Sequence, residues 1–319
     1  MLLSAAALLP AQTGDLAVLL KGTAALAFVD KDGKVLAHAP VTAHPHEMVF
    51  SADGRYLFTT DNGTMTIEQA GTGGNFVSII DVKARKKVGE INLGKYRRPH
   101  GIDLDRATGT LYVTTELPDQ LLAIDTKTRA VKRTYETGGK TAHMVVLGPG
   151  AKHAYISHSN SANIGVIELS SGKVKLLATG QRPEGSVRSP DGKFVYVVNR
   201  ESAAVDVVDT AKQEIVGKVA TGKGPVRIAV TPDGKQIIYA CMHDEVVEFA
   251  ETATRKVVGR TEKLPGPLVS LTVSPDGKYA FASAEERDLV YVISVAERKV
   301  VKKIQLPKGS HPDPVFALE

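Results

Sequence analysis

A turn motif that ends in glycine recurs along this chain at a nearly constant interval. It appears as SADG, RATG, GPG, SPDG, TPDG and SPDG, with its final glycine at Gly54, Gly109, Gly150, Gly192, Gly234 and Gly277. The successive intervals are 55, 41, 42, 42 and 43 residues. Self-similarity at this period is typical of proteins built from stacked repeats.

Each repeat contains four short runs of β-forming residues, with Gly, Asp and Pro at the corners. In one repeat the runs are KFVYVVNR, VDVVDT, EIVGKVATG and VRIAVT. Helical periodicity is absent throughout. A four-stranded sheet of this size cannot bury both of its faces alone, so the units must stack around an axis. The pattern predicts the blades of an all-β propeller.

The two ends of the chain complete the count of blades. Residues 16–41 supply three strands, and the C-terminal PVFALE supplies the missing innermost strand. We therefore predict seven four-stranded antiparallel blades, with N- and C-terminal strands sharing one blade, in a single domain over residues 13–319. Closing the ring in this way removes the open sheet edge that would otherwise promote aggregation.

The strand that follows the turn carries a recognisable motif. It reads LYVTTE over residues 111–116 and VYVVNR over residues 195–200, and SPDGK precedes such a strand twice. In these features the chain resembles the YVTN-repeat β-propeller family of bacteria and archaea, over nearly its whole length. The resemblance implies the fold, but the family has diverse functions. A more distant similarity to lactonase-type propellers implies a site that uses His, Glu and Arg without a metal.

The N-terminal residues MLLSAAALLPAQ are typical of the apolar part and cleavage end of a secretory signal. We interpret residues 1–12 as the remnant of a signal peptide and expect a periplasmic or secreted protein. No apolar run reaches 18 residues, so we expect no membrane span.

Composition argues against several classes of function. The net charge is +5, but the basic residues are scattered, aromatic residues make up 5% and Trp is absent, so we expect no nucleic-acid partner. Cys241 is the only cysteine, which excludes an internal disulfide and a CxxC motif, and its apolar surroundings predict burial. Neither GxSxG nor HExxH nor GxGxxG occurs.

One position of the repeat is titratable in five consecutive blades. It is the residue that follows the proline, or its equivalent, where each innermost strand begins; its occupants are Asp313, His46, His100, His143 and Glu184. Inner strands approach one another near the axis, so we predict that these side chains converge at the mouth of the central channel. Imidazoles with carboxylates suit Zn, Fe, Mn or Cu ions, and we predict these five residues as candidate metal ligands.

Other residues on the same face complete a candidate site. We predict His100, His143 and Glu184 as catalytic residues, and Arg98, Arg182 and Arg227 as binding groups for a small anionic substrate. The long first interval contains an insertion at residues 62–75, which we place above the mouth, either as a lid or as a tolerated surface loop.

Three functions remain open from the sequence. The first is an enzyme that hydrolyses or isomerises a small anionic or lactone-like molecule, with or without a metal. The second is a non-catalytic propeller that holds a protein or peptide partner. The third is copper or redox chemistry, without covalently attached haem because no CxxCH motif is present.

Overall fold

The computed structural model describes residues 15–318, so the predicted signal peptide at residues 1–12 lies outside the described residues. Seven four-stranded antiparallel sheets make up the described chain, and each sheet is one blade of a ring. This confirms the all-β, seven-bladed propeller. Strands are numbered in chain order, and within each blade they are named below from the axis outwards.

Blade 1 joins the two ends of the chain, and blades 2 to 4 follow in order. Blade 1 contains β28 (Pro312–Ala317), β1 (Leu16–Leu20), β2 (Ala25–Val29) and β3 (Val35–Pro40). Blade 2 contains β4 (Pro45–Phe50), β5 (Tyr56–Asp61), β6 (Phe76–Asp81) and β7 (Lys86–Asn92). Blade 3 contains β8 (Arg97–Asp105), β9 (Thr110–Leu117), β10 (Asp119–Asp125) and β11 (Val131–Glu136). Blade 4 contains β12 (Ala142–Leu147), β13 (His153–His158), β14 (Asn163–Glu168) and β15 (Val174–Ala178).

The remaining three blades have the same order of strands. Blade 5 contains β16 (Pro183–Arg188), β17 (Phe194–Asn199), β18 (Ala204–Asp209) and β19 (Glu214–Ala220). Blade 6 contains β20 (Pro225–Val230), β21 (Gln236–Cys241), β22 (Val246–Glu251) and β23 (Val257–Arg260). Blade 7 contains β24 (Leu268–Val273), β25 (Tyr279–Ala284), β26 (Leu289–Ser294) and β27 (Lys299–Gln305). Two short 3₁₀ turns occupy Pro149–Ala151 and Glu285–Arg287.

Burial along the strands follows from stacking of the blades. The two middle strands of each blade are buried almost throughout, because a neighbouring blade covers each face. The outermost strands alternate between exposed residues and residues that are partly or fully buried, as β7 and β27 show. Cys241 is fully buried, as predicted, within the apolar layer between blades 5 and 6. Large apolar side chains between blades therefore hold the ring together.

Strands from the two ends of the chain close the ring. β28 pairs with β1 in antiparallel register, with Leu16 opposite Ala317 and Ala17 opposite Phe316. β28 also contacts the inner strands of both neighbouring blades, β24 and β4. The predicted shared blade is confirmed, and the ring has no open edge at the joint.

A one-residue β-bulge interrupts every inner strand near its start. In blade 2, Pro45 lies opposite Asp61 but Met48 lies opposite Thr59, so one extra residue is accommodated between them. Equivalent shifts occur in the other six blades. Bulges redirect side chains and are common beside active sites. Here they fall at the repeat position that the sequence singled out.

Candidate functional site

The five titratable residues of the repeat position lie where the sequence predicted, in the bulged segments of five adjacent inner strands. They are Asp313, His46, His100, His143 and Glu184, in β28, β4, β8, β12 and β16. Each of them lines one cavity at the face of the ring where the inner strands begin, which we call the mouth. All five side chains are buried, with 1–4% of their surface exposed. They form the floor of the mouth rather than a solvated rim.

Hydrogen bonds between blades fix the backbone at this level. The Thr60 hydroxyl donates to the His100 carbonyl at 2.7 Å, and the Thr114 hydroxyl donates to the His143 carbonyl at 2.8 Å. Gly101, which follows His100, allows blade 4 to approach closely, since a Cβ there would lie 2.6 Å from the His143 carbonyl oxygen. Threonines of the strand motif therefore position the histidines of the next blade.

A chain of hydrogen bonds sets the tautomers of two histidines. His46 Nε2 lies 2.7 Å from the Thr64 carbonyl oxygen, which can only accept, so this nitrogen carries the proton. Burial, and then the charge of Lys21, lower the pKa of His46, so its Nδ1 is an acceptor. That Nδ1 lies 3.1 Å from His100 Nε2, which must therefore donate. His100 Nδ1 is left with a free lone pair.

Burial also lowers the pKa of His100, with help from the neighbouring histidines. His143 behaves differently. Burial opposes its charge, but the nearby carboxylates of Glu116 and Glu184 outweigh that effect and raise its pKa. The rings of His100 and His143 are in contact, with centroids 3.7 Å apart and planes tilted by 37°. The pKa values of these two neighbouring imidazoles are thus shifted in opposite directions by their surroundings.

Glu184 anchors His143 from the far side. Its Oε2 lies 3.2 Å from His143 Nε2, and its Oε1 accepts a 2.9 Å hydrogen bond from Arg182 Nε. Arg200 Nη1 is 3.5 Å from the same oxygen. Burial opposes the charge on Glu184, yet these partners, His143 above all, hold its pKa well below the usual range. His143 Nδ1 consequently faces away from Glu184.

Glu116 is a site residue that the sequence analysis missed. It lies near the end of β9, and its Oε2 is 2.7 Å from Arg98 Nε. Its Oε1 is 3.9 Å from His143 Nδ1. One ligating atom from each of His100, Glu116 and His143 lies within 4.8 Å of the other two. The atoms His100 Nδ1, Glu116 Oε1 and His143 Nδ1 are all buried, and none has a hydrogen-bond partner within residues 15–318.

Glu116 belongs to a second ring of equivalent positions. In each blade, one residue of the inner strand pairs with the next strand just before the bulge. The second ring consists of the residue that follows this pairing partner: Lys21, Asn62, Glu116, Ser159, Arg200, Met242 and Glu285. Reading the repeat alignment one strand further along the chain would have found these residues. Since this strand runs back towards the mouth, its end contributes to the same site.

Three further ion pairs, formed by two cations, lie at the mouth. Arg227 Nη2 donates a 2.6 Å hydrogen bond to Glu47 Oε1. Lys21 Nζ lies 3.0 Å from Glu285 and 3.1 Å from Asp313. Burial opposes the charge on Lys21, but the carboxylates of Asp313 and Glu285 outweigh it and raise its pKa. Asp313 is therefore held by a lysine on the side of the ring away from His143.

The insertion at residues 62–75 lies above the mouth, as predicted. Arg98 Nη2 donates to the Ile67 carbonyl at 2.9 Å, and Arg98 Nη1 donates to the Gln69 carbonyl at 3.2 Å. Glu68 forms an ion pair with Arg182, and the Thr64 carbonyl accepts from His46. The insertion covers a cavity of about 350 Å³ that the residues of the mouth line from below. It is thereby connected to the same groups that hold Glu116, Glu184 and His100.

A model of the YncE-like β-propeller family matches residues 16–267. The chain belongs to this family. The match agrees with the YVTN-type resemblance seen in the sequence, because both describe the same seven-bladed repeat.

Two relatives of the YncE-like propeller are the uncharacterized proteins YncE of Salmonella typhi and of Salmonella typhimurium strain LT2. Each is 25% identical over 206 residues, which is 60% of this chain. The match spans 58% of each relative's own length.

Solved structures share the fold. A functionally unknown protein from Desulfotomaculum acetoxidans DSM 771 has a TM-score of 0.80 at 14% identity, covering 96% of this chain and 100% of that one. Kuenenia stuttgartiensis hydrazine synthase has a TM-score of 0.72 at 19% identity, covering 93% and 99%. Dihydro-heme d1 dehydrogenase NirN has a TM-score of 0.69 at 16% identity, covering 99% and 78%. At these identities the likeness concerns the fold alone.

The three arginines predicted to bind substrate all lie at the mouth of this YncE-like propeller, but each already has a carboxylate partner. Arg98 pairs with Glu116, Arg182 with Glu184 and Glu68, and Arg227 with Glu47. Arg98 and Arg182 therefore hold site carboxylates and the insertion in place. Arg227 has one nitrogen, Nη1, that is buried and has no partner in the described part of the chain.

No helix among residues 15–318 is long and apolar enough to cross a membrane.

Proposed function

We propose that the mouth of the propeller is a divalent transition-metal site formed by His100, His143 and Glu116. The observation that carries the proposal is the set of three buried ligand atoms without partners: His100 Nδ1, His143 Nδ1 and Glu116 Oε1. Burying unpaired polar atoms is costly, and native proteins rarely leave several together. An ion bound by all three atoms would remove that cost.

The donor set suits this group of metals. Two imidazoles and one carboxylate are a common ligand set for catalytic zinc and are also accepted by iron, manganese and copper. Three protein ligands leave a position open for water or substrate. Of the five ligands expected from sequence, this proposal keeps His100 and His143. It adds Glu116 and gives His46 and Glu184 supporting roles, whereas Asp313 pairs with Lys21 and lies outside the proposed metal site.

Each proposed ligand has an outer partner that orients it. His46 and the Thr64 carbonyl fix the tautomer of His100, Glu184 holds the Nε2 side of His143, and Arg98 holds the second oxygen of Glu116. Partners of this kind are a regular part of protein metal sites, because they set the direction and basicity of the ligands. A histidine cluster without function would have no need of them.

The most concrete activity for this site is hydrolysis or isomerisation of a small molecule bound in the 350 Å³ cavity. When bound, the metal would polarise a carbonyl group or lower the pKa of a water molecule. The chain's own residues would orient the ligands, and the insertion would exclude bulk water. The proposed location is extracytoplasmic, on the strength of residues 1–12, and fractionation of cells that express the full chain tests it.

Metal analysis of protein purified without a His-tag tests the proposal. We expect about one Zn²⁺ or Co²⁺ per chain after reconstitution, and a loss of affinity of at least ~100-fold in His100→Ala and in His143→Ala. Glu116→Gln retains the size of the side chain and removes the charge, and we expect it to weaken binding as well.

His153→Ala is the matched control, because His153 lies on blade 4 away from the mouth, with its ring bound to Gln213. Its metal affinity should equal that of the parent protein. Unchanged metal content in the His100→Ala/His143→Ala double variant, with intact circular dichroism, would refute the metal site. A non-catalytic propeller that holds a protein partner would then be the better hypothesis.

A further inference from the structure

The mouth of the ring is chemically two-sided. In blades 1 to 5 the repeat position is titratable, but in blade 6 it is occupied by Val226. In blade 7 it is occupied by Val269, because Leu268 pairs with Ala284 as Pro225 of blade 6 pairs with Cys241. The backbone just before the inner strand also differs: Gly224 and Gly266 lie in the left-handed region in blades 6 and 7, whereas larger residues do so in the other five blades. One side of the cavity is thus lined by polar groups, and the other presents apolar side chains beside His243, Glu285 and Glu286.

The apolar side is open towards the cavity. Met242, Pro267 and Val269 line the cavity and are only partly buried. Ile67 and Met65 of the insertion line the same cavity from above. We call Val226, Met242, Pro267 and Val269 the apolar wall. Hydrocarbon surface within a cavity is stabilised by apolar contact with a ligand, and known small-molecule sites combine such walls with a few polar groups.

The charges at the mouth limit what the polar end of a ligand can be. Among the side chains that line the cavity, the carboxylates outnumber the lysine and arginine cations: Glu68, Glu184, Glu285, Glu286 and Asp313 against Lys21, Arg200 and Arg227. A dianionic phosphate would meet this excess of carboxylates and be repelled. A ligand with one carboxylate carries a single negative charge, so it is repelled less. A guanidinium nitrogen donates hydrogen bonds to a carboxylate with suitable geometry. Arg227 Nη1 is such a nitrogen, buried and unpartnered among the residues described.

We infer that the ligand of this cavity is a small monocarboxylic acid with a hydrocarbon chain, whose chain lies on the apolar wall. Its carboxylate faces the side of Arg227 and the proposed metal ligands. The contact of the head group with the metal rests on the proposed function above. The contact of the chain with the apolar wall does not.

A series of straight-chain carboxylates from acetate to octanoate measures the two contacts separately. Isothermal titration calorimetry on the full chain, once chelator-treated and once loaded with Zn²⁺, gives an affinity for each acid. Each buried methylene is worth about 0.8 kcal/mol, so we expect affinity to rise about fourfold per carbon until the cavity is full. Zinc should raise the affinity of all acids by a similar factor. The alcohols of equal length should bind more weakly than the acids.

Two double variants test whether the apolar wall causes the rise of affinity with chain length. Met242→Ser/Val269→Ser should flatten the dependence on chain length while leaving acetate binding nearly unchanged. Leu176→Ser/Val257→Ser removes two apolar side chains from outer strands, where they are 49% and 39% exposed, and should leave the whole series unchanged.

The outcomes separate the two proposals. If zinc has no effect on any acid but affinity still rises with chain length, the apolar wall stands and the contact of the head group with the metal is refuted, while metal analysis decides separately whether the metal site exists. If affinity is flat along the series in both forms of the parent protein, the inferred ligand is wrong whatever the metal content. A slope that persists in the Met242→Ser/Val269→Ser variant would also overturn it, because the hydrocarbon would then bind elsewhere.

Discussion

The two faces of this propeller differ in how regularly their structure repeats from blade to blade. On the face away from the mouth, four turns repeat one geometry: Ser51, Ser189, Thr231 and Ser274 each donate to the aspartate two residues later at 2.6–2.7 Å. The glycines of these turns have φ angles of 71–74°. At the mouth the side chains differ from blade to blade, and ion pairs run both within a blade, as between Arg98 and Glu116, and between blades, as between Arg227 and Glu47.

This difference distinguishes residues that maintain the fold from residues that form the candidate functional site. Each turn satisfies its own hydrogen bonds locally, so its geometry recurs wherever the motif SxDG or TxDG occurs. The mouth instead concentrates buried charges, and it leaves Asp313 Oδ1 and Arg227 Nη1 without partners in the described chain. Departures from the repeat therefore indicate function more strongly than the repeat itself does.

Both faces depend on closure of the ring, and the largest expected effect comes from opening it. Deleting residues 312–319 removes β28, which is the innermost strand of blade 1 and contacts β24 and β4. We expect the truncated chain to lose cooperative thermal unfolding or to aggregate, because β1 becomes an exposed edge. A truncation with the melting curve of the full chain would show that the terminal strand is dispensable.

Removing one charge from the mouth should be the next most damaging change. Arg227→Met leaves the buried carboxylate of Glu47 without its partner, and breaking a buried pair in this way costs about 3–5 kcal/mol. Urea denaturation measures the loss. The double variant Arg227→Met/Glu47→Gln should recover most of it, since the uncompensated charge is gone. If both variants are equally unstable, lost packing rather than charge explains the effect.

A buried histidine near the mouth, outside the proposed metal ligands, should make stability depend on pH. His158 is fully buried and its Nδ1 donates a 2.8 Å hydrogen bond to Asn163 Oδ1, and burial lowers its pKa to about 4. The unfolded chain takes up this proton near pH 6.5, whereas the folded chain does not until about pH 4. Its contribution to stability is therefore complete above pH 6.5 and is lost as pH falls through that window, by about 3 kcal/mol in all.

Comparison with His158→Gln isolates this contribution from the other histidines. Unfolding free energies of both proteins between pH 7 and pH 4 should converge as the pH falls, because the variant lacks the group that the unfolded state protonates. Parallel curves over the whole range would mean that His158 titrates normally in the folded protein.

The fold and part of the site could be predicted from the sequence because both depend on register. The turn glycines and the strand motif fix where each inner strand begins, and this placed His46, His100, His143, Glu184 and Asp313 together. Glu116 was missed because it ends the second strand of its blade, and its importance follows from a distance between blades rather than from any pattern within one. The pairing of Arg98 with Glu116 lies within blade 3, but a repeat alignment does not show it either. Contacts between blades depend on side-chain directions that a repeat alignment does not contain.

The smallest expected effect comes from the repeated face. In the turn of blade 5, the Ser189 hydroxyl donates to Asp191 at 2.7 Å and accepts from the Phe194 amide at 3.0 Å. Ser189→Ala removes both bonds, but the turn retains its glycine and the Lys193 amide still donates to Asp191, so we expect a loss of about 0.5–1.5 kcal/mol. Metal binding should be unchanged, since the turn lies on the face away from the mouth.

Ser274→Ala in blade 7 should cost a similar amount, because its turn has the same hydrogen bonds within 0.1 Å. Unequal losses from the two serines would show that the turns are not interchangeable, and that the contrast between a repeated face and a varied one is weaker than the geometry indicates.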